Sequence, residues 1–281
     1  MASLGFLFLF VLIIPLFLLV IFAVIFFGML KVRKASSAPP APIAELKDVA
    51  KLQGPVKEEL EQAAAKADNN IGSDDVLDNL GDIGVLWTNE SFSRTSWGAS
   101  KSTSYFHSSH SPFKPFEPVL ANVETRTSAS VGIKDPWAMT RGIIAAKSSN
   151  MDLRVLLQEG VAYAHLDGKF IGKADLKVGT IADAMGKNVG SFSAPLAPLV
   201  KIGPIRPTVR MPVSVKGKNA CDIVLFVGGI GPVSGTMKGS VIFEDLDKKL
   251  PRNTRALILA LYLALEAVKL QQTGRGFTGR V

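Results

Sequence analysis

The segment Arg255–Lys269 reads RALILALYLALEAVK, and it decides the class of fold. Its residues are strong helix formers, and the preceding Pro251-Arg-Asn-Thr favours a helix start. The run from Ala256 to Leu265 is apolar on every face, which excludes an amphipathic helix on a protein surface. At ten residues this run is too short to cross a bilayer. We therefore predict a helix over 253–270 that is buried inside protein.

From about residue 81 up to this helix, the sequence has the pattern of a β protein. Short β-branched and apolar runs alternate there with Gly, Pro, Asn and Asp, as in an antiparallel barrel or sandwich. Asp167-Gly168 predicts a hairpin turn, and Gly186 lies where a turn requires positive φ. The Ser/Thr-rich stretch 91–118 is predicted to be a long surface excursion. Candidate strands are 83–87, 119–131, 142–147, 153–158, 161–166, 178–182, 189–193, 208–215, 223–227 and 240–243.

An acidic helical segment precedes the β region. Residues 44–52 and 56–67 favour helix and are separated by Gly54-Pro55. Residues 44–82 contain ten acidic side chains and four lysines, a net charge of −6. Their apolar stripe is thin, so we expect a solvated spacer or docking helix, preceded by a semi-extended Pro-rich linker at 35–42.

Residues 4–30 contain no charged or strongly polar side chain, and they predict a transmembrane helix. A run of 27 residues is about twice too long for a cleaved signal peptide, and it lacks a basic amino-terminal region. Lys31, Arg33 and Lys34 follow directly and form a basic flank for headgroup contact. Because no basic side chain precedes the span, we expect the amino terminus outside and the body in the cytosol, or facing the interior of a virion or organelle.

These patterns predict a mainly β fold with a buried carboxy-terminal helix, one amino-terminal transmembrane helix and a short acidic helical spacer. The expected divisions are an anchor with its basic flank at 1–34, a linker and spacer at 35–80, and a β-rich domain at 81–281. The single cysteine, Cys221, excludes an internal disulfide and agrees with a reducing compartment.

The charge of the body bears on its partners. Residues 83–281 carry a net charge of +11, which suits anionic headgroups or an acidic partner protein, and we do not expect nucleic acid. Basic side chains spread over a solvated surface would account for the same charge. Aromatic and basic residues alternate near residue 100, and basic residues alternate with prolines after residue 200. The candidate lipid or partner contacts are Arg94, Trp97, Lys101, Lys114, Lys201, Arg206 and Arg210.

Little in the chain predicts chemistry. His107 and His110 lie in a Ser/Pro-rich loop without a nearby third ligand, so they are a weak metal signal. His165 lies on a candidate strand and is expected to be part of the sheet. Cys221 and Asp222 are adjacent on a strand and therefore point to opposite faces. We predict no catalytic residue, no metal or cofactor, and no small-molecule substrate.

Two strings resemble the tubby-like superfamily, which includes LURP-one-related proteins and phospholipid scramblases. The hairpin Val178–Phe192 is similar to the family's strand-Asp-x-x-Gly-strand unit, and Arg255–Glu266 is similar to its core helix. The resemblance covers about residues 81–270 and implies a closed antiparallel barrel around one hydrophobic carboxy-terminal helix. Scramblases also carry a cysteine-rich segment, which this chain lacks. A β-sandwich of viral-capsid or late-embryogenesis type with an appended helix is the alternative.

Together these features predict a non-enzymatic, single-span membrane protein whose β-rich domain binds lipid or partner proteins beside the bilayer. The main alternative is a structural subunit of a membrane-associated assembly, such as a viral minor capsid protein or an accessory subunit of an organellar complex. A third alternative is an enzyme whose catalytic residues are scattered along the sequence.

Overall fold

The computed structural model describes most of the second half of the chain and parts of the first. The chain divides into two compact units, Met1–Pro39 and Pro40–Val281. The described residues are 14–15, 17–23, 43–67, 76–83, 87–89, 99–106, 121–128, 141–193, 208–226 and 242–276.

The second unit is mainly β, with 12 described strands in one antiparallel sheet whose spatial order follows the sequence. The strands are β1 Trp87–Asn89, β2 Ala99–Phe106, β3 Ala121–Ser128, β4 Arg141–Ser148, β5 Met151–Gln158, β6 Val161–Leu166, β7 Lys169–Asp175, β8 Thr180–Asp183, β9 Asn188–Phe192, β10 Thr208–Val215, β11 Lys218–Phe226 and β12 Phe243–Glu244. The helices are α1 Ile43–Leu46, α2 Gly54–Ala67 and α3 Arg252–Gly276, with 3₁₀ turns at Val49–Lys51 and Leu80–Asp82.

The sheet curls around α3, which confirms the prediction of a buried terminal helix. All residues from Ala256 to Val268 are buried, and α3 contacts β2 through β7. Every face of the apolar run meets protein, as its sequence requires. The segment 76–83 completes this inner core with four fully buried side chains, Val76, Leu77, Leu80 and Ile83.

The outer face of the central strands is also covered. Alternation along a strand points Ile144 toward α3 and Ile143 to the opposite side. There α2 packs against β3 and β4. The second core contains Leu46, Leu52, Leu60, Ala63, Ala64, Ala67, Ile143, Ala145, Leu156 and Tyr163. The segment that we expected to be a spacer is therefore part of the same compact unit as the sheet.

Several strand predictions are confirmed within one or two residues, including 161–166 and 208–215, which match β6 and β10. The predicted surface excursion at 91–118 is wrong in part, because its residues 99–106 form β2. These residues pair along their full length with β3. Serine and threonine suit a pleated strand that is not fully apolar, so composition alone did not distinguish this strand from a loop.

Backbone contacts also link the two ends of the sheet. Ile242 N, just before β12, donates a hydrogen bond of 3.0 Å to the carbonyl oxygen of Ile83, which precedes β1. Ile242 O in turn accepts from Val224 N in β11 at 2.8 Å. The segments flanking the first and last strands therefore meet through a backbone hydrogen bond.

The first unit is described at few positions. Residues 14–15 and 17–23 are helical, and the rest of the predicted span 4–30 lies outside the described residues. Among the residues that the structure describes, no helix combines the length and the apolar character needed to cross a bilayer.

Candidate functional site

Two of the contact residues predicted from the sequence lie in the described part of the chain. Lys101 is on β2, and Arg210 is on β10. The structure does not pair these two strands, since the neighbours of β10 in the sheet are β9 and β11. The remaining predicted residues lie outside the described ranges: Lys31, Arg33, Lys34, Arg94, Trp97, Lys114, Lys201 and Arg206.

Arg210 has an anionic partner within the protein. Its Nη2 atom lies 3.1 Å from Glu244 Oε1 on β12, so the pair bridges the intervening strand β11. Arg210 is largely exposed, and an exposed ion pair of this kind contributes little to stability. An anionic headgroup at Arg210 would therefore compete with Glu244 at small cost. Lys101 lies directly opposite Arg126 in the register of β2 and β3.

A second group of cations lies at one end of the sheet, where two hairpin turns are neighbours. The β8–β9 turn spans residues 184–187, and the β10–β11 turn consists of Lys216 and Gly217. Because β9 pairs with β10, these turns lie side by side. Lys216 N donates a hydrogen bond of 3.1 Å to the carbonyl oxygen of Val189 at the start of β9.

We call Met185, Lys187, Lys216 and Lys218 the turn cluster. All four side chains are exposed, and Met185, at 89%, is the most exposed of the large apolar residues in the described part. None of the three lysines forms an ion pair with a described residue. The cluster therefore presents one apolar side chain beside three free ammonium groups.

The β8–β9 turn is held in a fixed shape by Asp183, the last residue of β8. Asp183 Oδ1 accepts hydrogen bonds of 3.0 Å from Met185 N and from Lys187 N. Gly186 adopts φ of 82°, which confirms the predicted need for positive φ at this position. These constraints keep Met185 at the tip of the turn instead of allowing it to fold back onto the sheet.

The sequence predicts this turn through Gly186 but not the role of its exposed residues. In Asp183-Ala-Met-Gly-Lys, a large apolar residue lies at the tip of a tight turn, from which it cannot reach the core. That signal would have singled out Met185. The proximity of Lys216 and Lys218 depends on the pairing of β9 with β10, which the sequence did not reveal.

His165 is the most unusual polar side chain in the described core. It is fully buried, and neither ring nitrogen hydrogen-bonds a described residue. Its ring lies 5.4 Å from that of Phe170 and beside the backbone of Lys47 in the segment after α1. Burial lowers the pKa of His165, and polar contacts with the backbone of Lys47 and Arg154 partly oppose this effect. The positive charge of Arg154 also lowers the pKa, and the negative charge of Asp48 raises it. The imidazole is therefore neutral at pH 7.

An ion pair flanks this histidine on β5. Arg154 Nη2 lies 2.9 Å from Asp152 Oδ2, and Arg154 Nε donates to Asp152 Oδ1 at 3.1 Å. This bidentate hydrogen bonding raises the pKa of Arg154, although partial burial opposes the effect. Since Asp152 already holds the guanidinium with both oxygens, the pair gives His165 a structural neighbour and not a catalytic partner.

Two further observations on the described side chains bear on chemistry. Cys221 is buried, and burial raises the pKa of its thiol to about 12, so it is almost entirely protonated near neutral pH. Within the described ranges, no group of three or more His, Cys, Asp or Glu residues could hold a metal ion.

Comparisons with known proteins identify no relative. No family model matches the chain, no curated protein matches it, and no solved structure matches it.

Proposed function

We propose that this chain is a non-enzymatic membrane-anchored protein whose β-rich unit binds anionic headgroups or partner proteins beside the bilayer. The observation that carries the proposal is the exposure of large apolar side chains in a helical segment near the amino terminus. Seven large side chains between residues 14 and 22 are exposed, with Phe22 at 71%. They lie within the 27-residue uncharged run that begins at Leu4.

Such exposure is unfavourable in water. Burying apolar surface contributes about 25 cal/mol per Å², so a helical segment with Phe, Leu, Val and Ile exposed requires a nonpolar environment. A bilayer supplies one for the full length of a 27-residue run, whereas a protein groove would cover one face. The basic flank Lys31, Arg33 and Lys34 then favours a cytosolic or interior body.

We further propose that the curled sheet closes into a barrel of the tubby-like kind. Two features support closure: α3 occupies the concave side of the sheet, and Ile242 hydrogen-bonds Ile83 between the flanks of the first and last strands. Closure would remove exposed strand edges, which otherwise favour aggregation. Hydrogen exchange of the full chain would test this, since slow exchange of the β12 amides is expected only if both edges of that strand are protected.

Alkaline carbonate extraction tests the anchor. Expressed in cells, the full chain is expected to stay in the membrane pellet. A double substitution, Leu19→Arg with Val20→Arg, is expected to shift it to the supernatant, because each central Arg costs roughly 3 kcal/mol in a membrane helix. Leu19→Ala with Val20→Ala is the matched control and should leave the chain in the pellet. Release of the unsubstituted chain by carbonate would overturn the proposal.

Salt-sensitive vesicle binding tests the lipid-binding part separately. A fragment for this assay has to begin near residue 40, since removing residues 43–83 would remove Leu60 from the second core and Leu77 from the inner core. Binding to vesicles with phosphatidylserine is expected at low salt and should fall at 1 M salt, where the Debye length is about 3 Å. If binding fails while a stoichiometric protein partner co-purifies with the full chain, the structural-subunit alternative is favoured.

A further inference from the structure

We infer that the turn cluster, Met185 with Lys187, Lys216 and Lys218, is the surface through which the β-rich unit contacts an anionic bilayer. This inference rests on the proposed membrane anchoring and deepens it by naming the contact surface. The class of ligand is the headgroup layer of a membrane that contains phosphatidylserine or a similar anionic lipid. Met185 is the side chain expected to enter the interfacial zone.

Shape is the first argument for this surface. Met185 is held at the tip of the β8–β9 turn by the two hydrogen bonds to Asp183 Oδ1 and by the positive φ of Gly186. A rigid apolar tip enters a headgroup layer without the loss of conformational freedom that a mobile loop would incur. An unbranched thioether side chain also adapts readily to irregular surroundings.

Charge is the second argument. Lys187 lies on the same turn as Met185, and Lys216 and Lys218 lie in and just after the neighbouring β10–β11 turn. None of the three lysines forms an ion pair with a described residue. The nearest acidic group on these turns, Asp183, accepts two backbone hydrogen bonds and serves as a turn cap. Flexible ammonium groups around an apolar tip match a fluid anionic surface, where they bind phosphate and carboxylate groups as point charges.

The end of the sheet opposite the turn cluster supplies a control. The β7–β8 turn also exposes an apolar side chain, Val178, at 68%. It is likewise shaped by an aspartate, because Asp175 Oδ1 accepts from Val178 N and from Lys177 N. The β7–β8 turn carries one lysine, Lys177, and the neighbouring β5–β6 turn carries Glu159, which faces Arg141 at the start of β4. The two ends therefore share an exposed tip but differ in net charge.

A fluorescence experiment on the full chain tests the inference. Met185→Cys is labelled with an environment-sensitive NBD probe after reconstitution into vesicles, and Cys221 stays unlabelled because it is buried and protonated. In vesicles with 30% phosphatidylserine, lipids spin-labelled near the headgroup are expected to quench the probe by about half, and pure phosphatidylcholine should give little quenching. Val178→Cys labelled in the same way should show little quenching in both vesicles.

A charge reversal completes the design. Lys187→Glu with Lys216→Glu and Lys218→Glu should abolish the quenching at position 185, and Lys177→Glu should leave it unchanged. Equal quenching at positions 185 and 178, or no quenching at 185 in anionic vesicles, would overturn the inference. Carbonate extraction of the same vesicles separates the two proposals: a chain that resists extraction but shows no quenching retains its anchor and refutes only the contact surface.

Discussion

Arg255 Nη1 donates a hydrogen bond of 2.8 Å to the carbonyl oxygen of Leu77, from the first turns of α3 to a segment 178 residues earlier in the chain. Arg255 Nη2 also lies 2.9 Å from Asp78 Oδ1. Leu77 is fully buried in the inner core. The guanidinium therefore fixes where the segment before β1 meets the central helix.

Replacing Arg255 should destabilise the fold. Arg255→Ala leaves the Leu77 carbonyl without its charged donor, and losing such a bond typically costs about 1–3 kcal/mol. For a unit of this size we expect the melting temperature to fall by about 3–10 °C, measured by circular dichroism of the full chain in micelles. The control is Asp78→Asn, which removes an exposed carboxylate and should change stability by less than about 1 kcal/mol. Equal effects of the two substitutions would contradict the assigned role of the Leu77 bond.

Truncating a side chain of the buried helix should be more costly. Leu259 is fully buried in the inner core, and Leu259→Ala is expected to cost about 2–5 kcal/mol through lost burial and the cavity that remains. Val178→Ala, at a largely exposed position, should change stability by less than about 0.5 kcal/mol. Urea unfolding of both variants measures the difference. A mild effect at Leu259 would mean that α3 is not in the core.

Substituting two glycines with positive φ distinguishes the stability cost of backbone strain from the cost of a steric clash. A Cβ at Gly172 would lie 2.2 Å from the carbonyl oxygen of Ala182, whereas a Cβ at Gly186 would meet no atom within 4 Å. Gly186→Ala should cost about 1 kcal/mol from its backbone conformation alone. Gly172→Ala should cost about 3 kcal/mol, since the β7–β8 pairing must also shift. Thermal unfolding of both variants tests this, and equal melting temperatures would refute the close approach.

Lowering the pH should destabilise the fold, because protonation of His165 weakens its contact with the segment after α1. The folded-state pKa of His165 is lowered, so the unfolded state binds more protons than the folded state below about pH 6.5. The stabilisation is complete above that pH and is lost as the pH falls, with a limiting slope of about 1.4 kcal/mol per pH unit. Urea unfolding between pH 7.5 and pH 5 measures this slope.

His165→Gln supplies the comparison, because it retains polar atoms but does not titrate. Its unfolding free energy should decrease less between pH 7.5 and pH 5 than that of the unsubstituted chain. The charged groups that face His165, Arg154 and Asp48, remain in both proteins and cancel in the difference. Identical pH profiles would show that His165 is protonated without cost in the folded state.

Cys221 should react slowly with thiol reagents. With a pKa of about 12, its thiolate fraction at pH 8 is about 10³ lower than that of a free cysteine. The folded chain should therefore react with DTNB at least about a thousandfold more slowly than the chain in urea. Fast reaction of the folded protein would show that β11 opens readily at this position.

Local chemistry was the part of the fold that the sequence predicted well. Asp167 and Gly168 adopt positive φ as the hairpin signal required, and β6 ends at the predicted residue. The position of α2 was not predictable in the same way. Its buried stripe contains Ala63, Ala64 and Ala67, which carry little hydrophobic signal but allow a helix to approach a sheet closely.

The candidate site was also predictable from the sequence only in part. The turn that presents Met185 was evident from Asp183 and Gly186, because turn geometry depends on adjacent residues. Its neighbours Lys216 and Lys218 reach it only through the pairing of β9 with β10, across residues 193–207. Arg210 was predicted as a contact, but its pairing with Glu244 depends on a strand two positions away in the sheet.

By itself, the sequence predicted two nonpolar environments, one for residues 4–30 and one for Ala256–Leu265, since long uncharged apolar runs are unfavourable in water. It also determined the tight turns. Only the tertiary structure decided that the curled sheet supplies the second environment and that the acidic helix covers its outer face. Those outcomes depend on which strands pair and which faces they present to each other. Strand pairing is stabilised by contacts between residues that are far apart in the sequence, so a local pattern does not predict it.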